Sequence, residues 1–104
     1  MLYTQNEIIA LVIPVLKQYP VKRAAFFGSY ARNEQTQNSD IDLLLDLDVN
    51  EAYPEFYYVY DLLNEIEAMT GKRVDHITTK GLASSPSKGL INNTQAESMW
   101  FYEI

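Results

Sequence analysis

Residues 28–48 read GSYARNEQTQNSDIDLLLDLD, a Gly-Ser turn, an Arg three residues on, a polar loop, then Asp40-Ile41-Asp42 opening an apolar run. A strand puts residues i and i+2 on one face with their Cα atoms roughly 6.5–7 Å apart. Asp40 and Asp42 can therefore lean into one space and hold two hard cations about 3.5–4 Å apart. Gly28 lets the backbone approach a ligand closely, and Ser29 adds a hydroxyl and an N–H. Phosphate on one side and metal on the other make this a candidate nucleotide site. By itself Asp-x-Asp is a weak signal, because a strand-entry Asp capping a loop gives the same pattern. The Gly-Ser turn at the right distance is what favours the metal reading.

The neighbours of this stretch predict its setting. Residues 22–27, with AAFF at the centre, form a short strand feeding the turn, and 29–32 make one helical turn with N–H groups facing the phosphate. Asn33 to Ser39 is polar loop, and 40–47 is the next strand, Ile41, Leu43 and Leu45 on one side, Asp40, Asp42, Leu44 and Asp46 on the other. Upstream, Thr4 and Glu7 form a capping box for a helix with Ile8, Val12, Leu16 and Tyr19 on its apolar face. Pro14 should kink that helix and Pro20 end it.

Downstream, 48–54 is linker. Pro54 or Glu55 starts a helix to about Met69, burying Phe56, Val59, Leu63 and Ile66, with Tyr60, Leu62 and Met69 at the margins. Gly71 stops it. A third strand over 73–78 completes a β-α-β crossover, parallel to the second strand. In it Asp75 alternates away from Val74 and His76, so if this strand pairs beside the second, Asp75 can share the face of Asp40 and Asp42. His76 is turned from them and reads as a packed or surface residue. Residues 80–93 read as loop with one short helix, and 98–102 as a final edge strand or a terminal helix, with the strand favoured.

A chain of 104 residues is one domain, 1–104, with a single core. Without cysteine there are no disulfides, Cys-zinc sites or thiol catalysis. No apolar run is long enough to cross a bilayer and no signal-peptide pattern is present, so the expectation is a cytoplasmic protein that does not engage membranes. Net charge is −6, and from Asp40 to Glu67 there are nine Asp or Glu and no Lys or Arg. Such a surface repels phosphodiester backbones, which argues against nucleic acid as the polymeric substrate.

G-S-x-A-R, a loop, then S-D-I-D-L resembles the active-site motif of the nucleotidyltransferases of the DNA polymerase β superfamily. The short chain resembles their smallest branch, the minimal nucleotidyltransferase (MNT) proteins. Gly28, Ser29, Ala31, Arg32, Ser39, Asp40, Ile41, Asp42 and Leu43 carry the match. The resemblance implies an α/β (α+β) nucleotidyltransferase fold, a small mixed sheet with helices packed on one side. It implies Asp40, Asp42 and Asp75 as metal ligands and catalytic residues, with Asp75 accepting the proton of the attacking hydroxyl. Gly28, Ser29, Arg32 and Ser39 would bind the nucleotide, Arg32 either reaching the triphosphate or forming a salt bridge such as one to Glu34. ATP would be the substrate, with two Mg²⁺ ions. MNT proteins are often encoded with a HEPN-domain toxin, and some are antitoxins that transfer AMP onto it. A HEPN partner and AMP transfer to a hydroxyl, tyrosine above all, are therefore expected. The other readings are a small-molecule nucleotidyltransferase completed by a second subunit, and a non-catalytic module that blocks the toxin sterically. Tyrosines crowded between Tyr53 and Tyr60 would suit a protein interface. The chain departs from the family at Asn33, where Gly is usual, and in the uncharged QTQN loop. Asn tolerates left-handed backbone angles, so the turn should survive.

Overall fold

The computed structural model describes residues 2–48, 58–85 and 87–104. The elements run α1 (Gln5–Leu16), β1 (Val21–Phe27), α2 (Ser29–Arg32), β2 (Ile41–Leu47), α3 (Val59–Thr70), β3 (Val74–Thr78), α4 (Thr79–Ala83), α5 (Lys88–Glu97) and β4 (Met99–Glu103). They build a four-stranded sheet in the order β3-β2-β1-β4. Strand β1 is antiparallel to β2 and β4, whereas β2 and β3 are parallel. Parallel neighbours need a crossover, and the segment containing α3 supplies it. The sheet is mixed, as the sequence predicts.

Alternation along β2 separates two cores. Ile41, Leu43, Leu45 and Leu47 face α1 and α3, joining Ile8, Val12, Leu16, Phe26, Leu62 and Ile66 in the main cluster. Leu44 faces the other way and packs with Ala25 and with Leu82 of α4. The helices are thus not all on one side: short α4 covers part of the second face, because Leu44 and Ala25 leave apolar surface there.

The capping box forms as read, with Thr4 Oγ1 accepting from the Glu7 N–H at 3.1 Å and Glu7 Oε1 from the Thr4 N–H at 2.9 Å. Helix α1 runs through Pro14 and ends at Leu16, short of Pro20. Gly71 stops α3 with φ +68°. Val59, Leu62, Leu63 and Ile66 are buried on α3 while Tyr60 and Met69 are exposed. The expected linker over 49–54, the helix start at Pro54 or Glu55, and Tyr53, Phe56 and Tyr57 lie outside the described residues.

The largest departure is α5, whose first six residues lie in the 80–93 stretch expected to be loop with one short helix and whose last four run on beyond it. Gly89, Asn92 and Asn93 are weak helix formers, so local preference points away from what tertiary packing imposes. Thr94, buried at 4% exposure, marks the side where that packing occurs. Strand β4 follows at the sheet edge, where the terminal strand was expected.

Tyr30 of α2 is fully buried, its ring 5.7 Å from that of Phe26, and its hydroxyl has no hydrogen-bond partner among the described residues. An unsatisfied buried hydroxyl costs about 1–3 kcal/mol. Tyr30→Phe removes that cost and keeps the ring. It is expected to stabilise the chain by about 1 kcal/mol, read as a rise in thermal midpoint of about 4–8 °C.

Candidate nucleotide site

Strand register assembles the site. Phe27, the last residue of β1, lies opposite Asp42, and Asp42 lies beside Asp75 in the parallel pairing of β2 with β3. Asp40 stands just before β2. Gly28, immediately after β1, takes φ +70° and ψ −148°, which is essentially a glycine-only region. A Cβ built there would overlap Asp42 Oδ2 and sit 3.3 Å from its Cγ. The glycine thus permits the turn and makes room for the carboxylate. The chain then makes the single turn α2, closed by Asn33 at φ 58°, ψ 36°. This is the left-handed conformation expected of Asn in place of glycine.

The electrostatics are those of crowded acids. Asp42 has its pKa pushed up to about 6, first by burial and then by the charges of Asp75, Asp40 and Glu97, with the Arg32 guanidinium opposing. The salt bridges among the described residues join Arg23 to Asp46 and Arg32 to Glu34 and Glu97, so among those residues no cation is directly paired with Asp40, Asp42 or Asp75. Asp75 is exposed and unpaired with Arg73 or Lys72. Lys72 is instead buried, its ammonium donating to the Gln37 carbonyl and tying down the loop before Asp40. Among the described residues no three Asp, Glu, His or Cys side chains are gathered closely enough to enclose an ion. The donor set of Asp40, Asp42 and Asp75 nevertheless fits a hard divalent cation: all donors are oxygen, two sit side by side in register, and a cation would relieve the repulsion that raises Asp42.

The remaining predicted residues divide. Arg32 forms the expected salt bridge, Nε to Glu34 at 3.1 Å, and a second, Nη1 to Glu97 at 2.9 Å. Ser39 Oγ accepts from the Thr36 N–H at 2.8 Å and so holds the loop that delivers Asp40. His76 is beside Leu43 in register, on the opposite face from Asp75, with its ring edge-on to Tyr60 at 6.4 Å. Glu97, the last residue of α5, also reaches this turn and is not among the residues singled out from the sequence. Its Oε1 accepts from the Gly28 N–H at 3.1 Å and its Oε2 from Arg32. Nothing local marks it: it lies 69 positions from Gly28, between the stretches assigned to loop and to the final strand.

A family profile described as Nucleotidyltransferase domain matches residues 10–97. A candidate protein adenylyltransferase of Methanocaldococcus jannaschii is 44% identical over 78 residues, covering 74% of this chain and 77% of that protein. The protein adenylyltransferase MntA of Thermococcus cleftensis is 32% identical over 75 residues, covering 72% and 73% respectively. Among solved structures, a toxin–antitoxin crystal structure with AMP-PNP has a chain that superposes with TM-score 0.67 at 19% identity, covering 92% of this chain and 73% of that one. A complex of a tri-AMPylated Shewanella oneidensis HEPN toxin with its MNT antitoxin gives TM-score 0.62 at 15% identity, covering 96% and 73%. At those identities the structural likeness speaks for the fold. With the profile spanning most of the chain and close sequence relatives besides, this protein belongs to the nucleotidyltransferase domain family, in its minimal, MNT-type branch.

Proposed function

We propose that this chain transfers AMP from ATP to a hydroxyl, a tyrosine's above all, on a HEPN-domain toxin, and acts thereby as its antitoxin. The observation that carries this is the side-by-side placement of Asp42 and Asp75, with Asp40 next to them, against the Gly28-Ser29 turn and Arg32. The likeness to MntA and to chains of MNT–HEPN complexes supports the choice of partner.

In this reading the Gly28 and Ser29 N–H groups, the Ser29 hydroxyl and the Arg32 guanidinium bind and orient the triphosphate, while Ser39 keeps the loop shaped behind Asp40. The acceptor oxygen attacks the α-phosphorus as the bond to the bridging oxygen breaks, pyrophosphate leaves, and Asp75 takes the acceptor's proton. Asp40, Asp42 and Asp75 would hold Mg²⁺, two ions in the expected arrangement. Bound there, Mg²⁺ supplies charge neutralisation of the triphosphate and a lowered pKa for the acceptor hydroxyl. Orientation by the glycine turn supplies much of the remaining rate enhancement.

The test is incubation of the chain with isotopically labelled ATP, Mg²⁺ and the product of the neighbouring gene, followed by mass measurement of that product. The expected result is a gain of one or more AMP groups, lost in Asp40→Ala and in Asp42→Ala. Neutralisation of the toxin that survives both substitutions without any mass gain would replace transfer by steric blocking.

A further inference from the structure

Glu97 sits where the proposed function needs an anion of another kind. Its two carboxylate oxygens take the Gly28 N–H at 3.1 Å and Arg32 Nη1 at 2.9 Å. These are the donors that the transfer reading assigns to the triphosphate. A carboxylate is the smallest protein group that mimics one phosphate on such a pair of donors, accepting a backbone N–H with one oxygen and a guanidinium with the other.

Two features indicate that this seat is held in competition rather than built for Glu97. Glu97 is the last residue of α5, where the helix dipole disfavours negative charge, and no basic residue lies in that last turn. Its charge also acts on Asp42, adding to the repulsion already imposed by Asp75 and Asp40. The carboxylate is therefore poorly placed with respect to its helix and to its acidic neighbours, and among the described residues Gly28 and Arg32 offset this. Arg32 is divided as well, since Glu34 holds its Nε at 3.1 Å. A triphosphate brings several negative charges to the same donors and, unlike Glu97, can arrive with its own countercharge.

We propose that Glu97 is a built-in competitor for nucleotide: its carboxylate occupies the phosphate seat formed by the Gly28 N–H and Arg32, and ATP must displace it to bind. The proposal rests on the transfer reading for its assignment of that seat. Displacement frees the end of α5 and the start of β4, which follows after only Ser98. Nucleotide affinity is thereby linked to the position of this corner.

The experiment measures binding to the whole chain by calorimetry, with inorganic tripolyphosphate and with Mg-ATP as probes, for wild type, Glu97→Gln and Glu97→Asp. Glu97→Gln keeps the shape and one acceptor oxygen but removes the charge, so both probes should bind about tenfold more tightly than to wild type. Glu97→Asp keeps the charge on a side chain one methylene shorter that spans the two donors less well, and should fall between. The Gly28 amide resonance should move in the same direction on adding tripolyphosphate to wild type and on the Gln substitution. In transfer assays the Gln variant should show a lower KM for ATP with kcat not reduced. Equal affinities for wild type and Glu97→Gln overturn the proposal and leave the transfer reading standing. A Gln variant with weaker Mg-ATP binding and a reduced kcat also overturns it, by making Glu97 a participant in catalysis. If neither probe binds any of the three chains, this inference and the transfer reading fall together.

Discussion

Asp42→Asn is expected to remove AMP transfer while making the folded chain more stable. Its carboxyl is pushed up to about 6 by burial, then by Asp75, Asp40 and Glu97. Near neutral pH it is thus held mostly charged against an environment that prefers it protonated. The sign follows from proton counting. Between the ordinary carboxylate range and pH 6 the folded chain binds more protons than the unfolded one, so stability falls as pH rises through that interval. The penalty is complete above about pH 7 and absent below the unfolded-state value near 3.8. A shift of this size on a fully buried group would correspond to about 3 kcal/mol, and partial solvent access reduces it to about 1–2 kcal/mol. In a chain of this length the asparagine variant should therefore melt several degrees higher at pH 7.5, about 5–10 °C, with the difference vanishing near pH 4. On the transfer reading, transfer should drop by about 10³-fold or more, because a neutral amide is a much weaker ligand than a carboxylate for the hard divalent cation that Asp42 would help to hold. Parallel melting curves at the two pH values and a transfer assay check both halves. An asparagine variant that melts lower at neutral pH would contradict the electrostatic account.

Gly28→Ala is expected to damage folding and function together. The backbone there has φ +70° and ψ −148°, and the added methyl would overlap the Asp42 carboxylate. Placing an L-residue in that conformation costs about 1–3 kcal/mol. Moving Asp42 aside adds to this, so a loss of about 2–4 kcal/mol and a fall of about 10–20 °C in thermal midpoint are anticipated. The two contributions separate in a double-mutant cycle. In an Asp42→Ala background the overlap is gone and the backbone strain stays, so Gly28→Ala should there cost clearly less. Additive effects would mean that the glycine is required for its conformation alone. Unlike Asp42→Asn, this variant should also weaken tripolyphosphate binding, because the Gly28 N–H shifts with the strained turn.

The contrast between α2 and α5 shows what local sequence can and cannot carry. The Gly28-Ser29 turn, the left-handed Asn33, the capping box of Thr4 and Glu7, and the alternation of β2 all rest on interactions spanning a few residues, and each is where the pattern puts it. The Gly89, Asn92 and Asn93 in α5 state a local preference that long-range packing overrides. The fate of Arg32 was readable only in part. Its bridge to Glu34 is two residues away, but its bridge to Glu97 spans 65.

By itself the sequence determined the strand-turn-loop-strand unit, its two carboxylates two residues apart, and the opposite facing of Asp75 and His76, because side-chain alternation is a property of any extended backbone. Tertiary structure alone decided that Asp75 stands beside Asp42, that α4 covers part of the second face, and that Glu97 reaches the Gly28 N–H. Those outcomes depend on which strands pair, in what register, and where a distant helix ends. They are settled by burying one shared core, not by any neighbour in the chain.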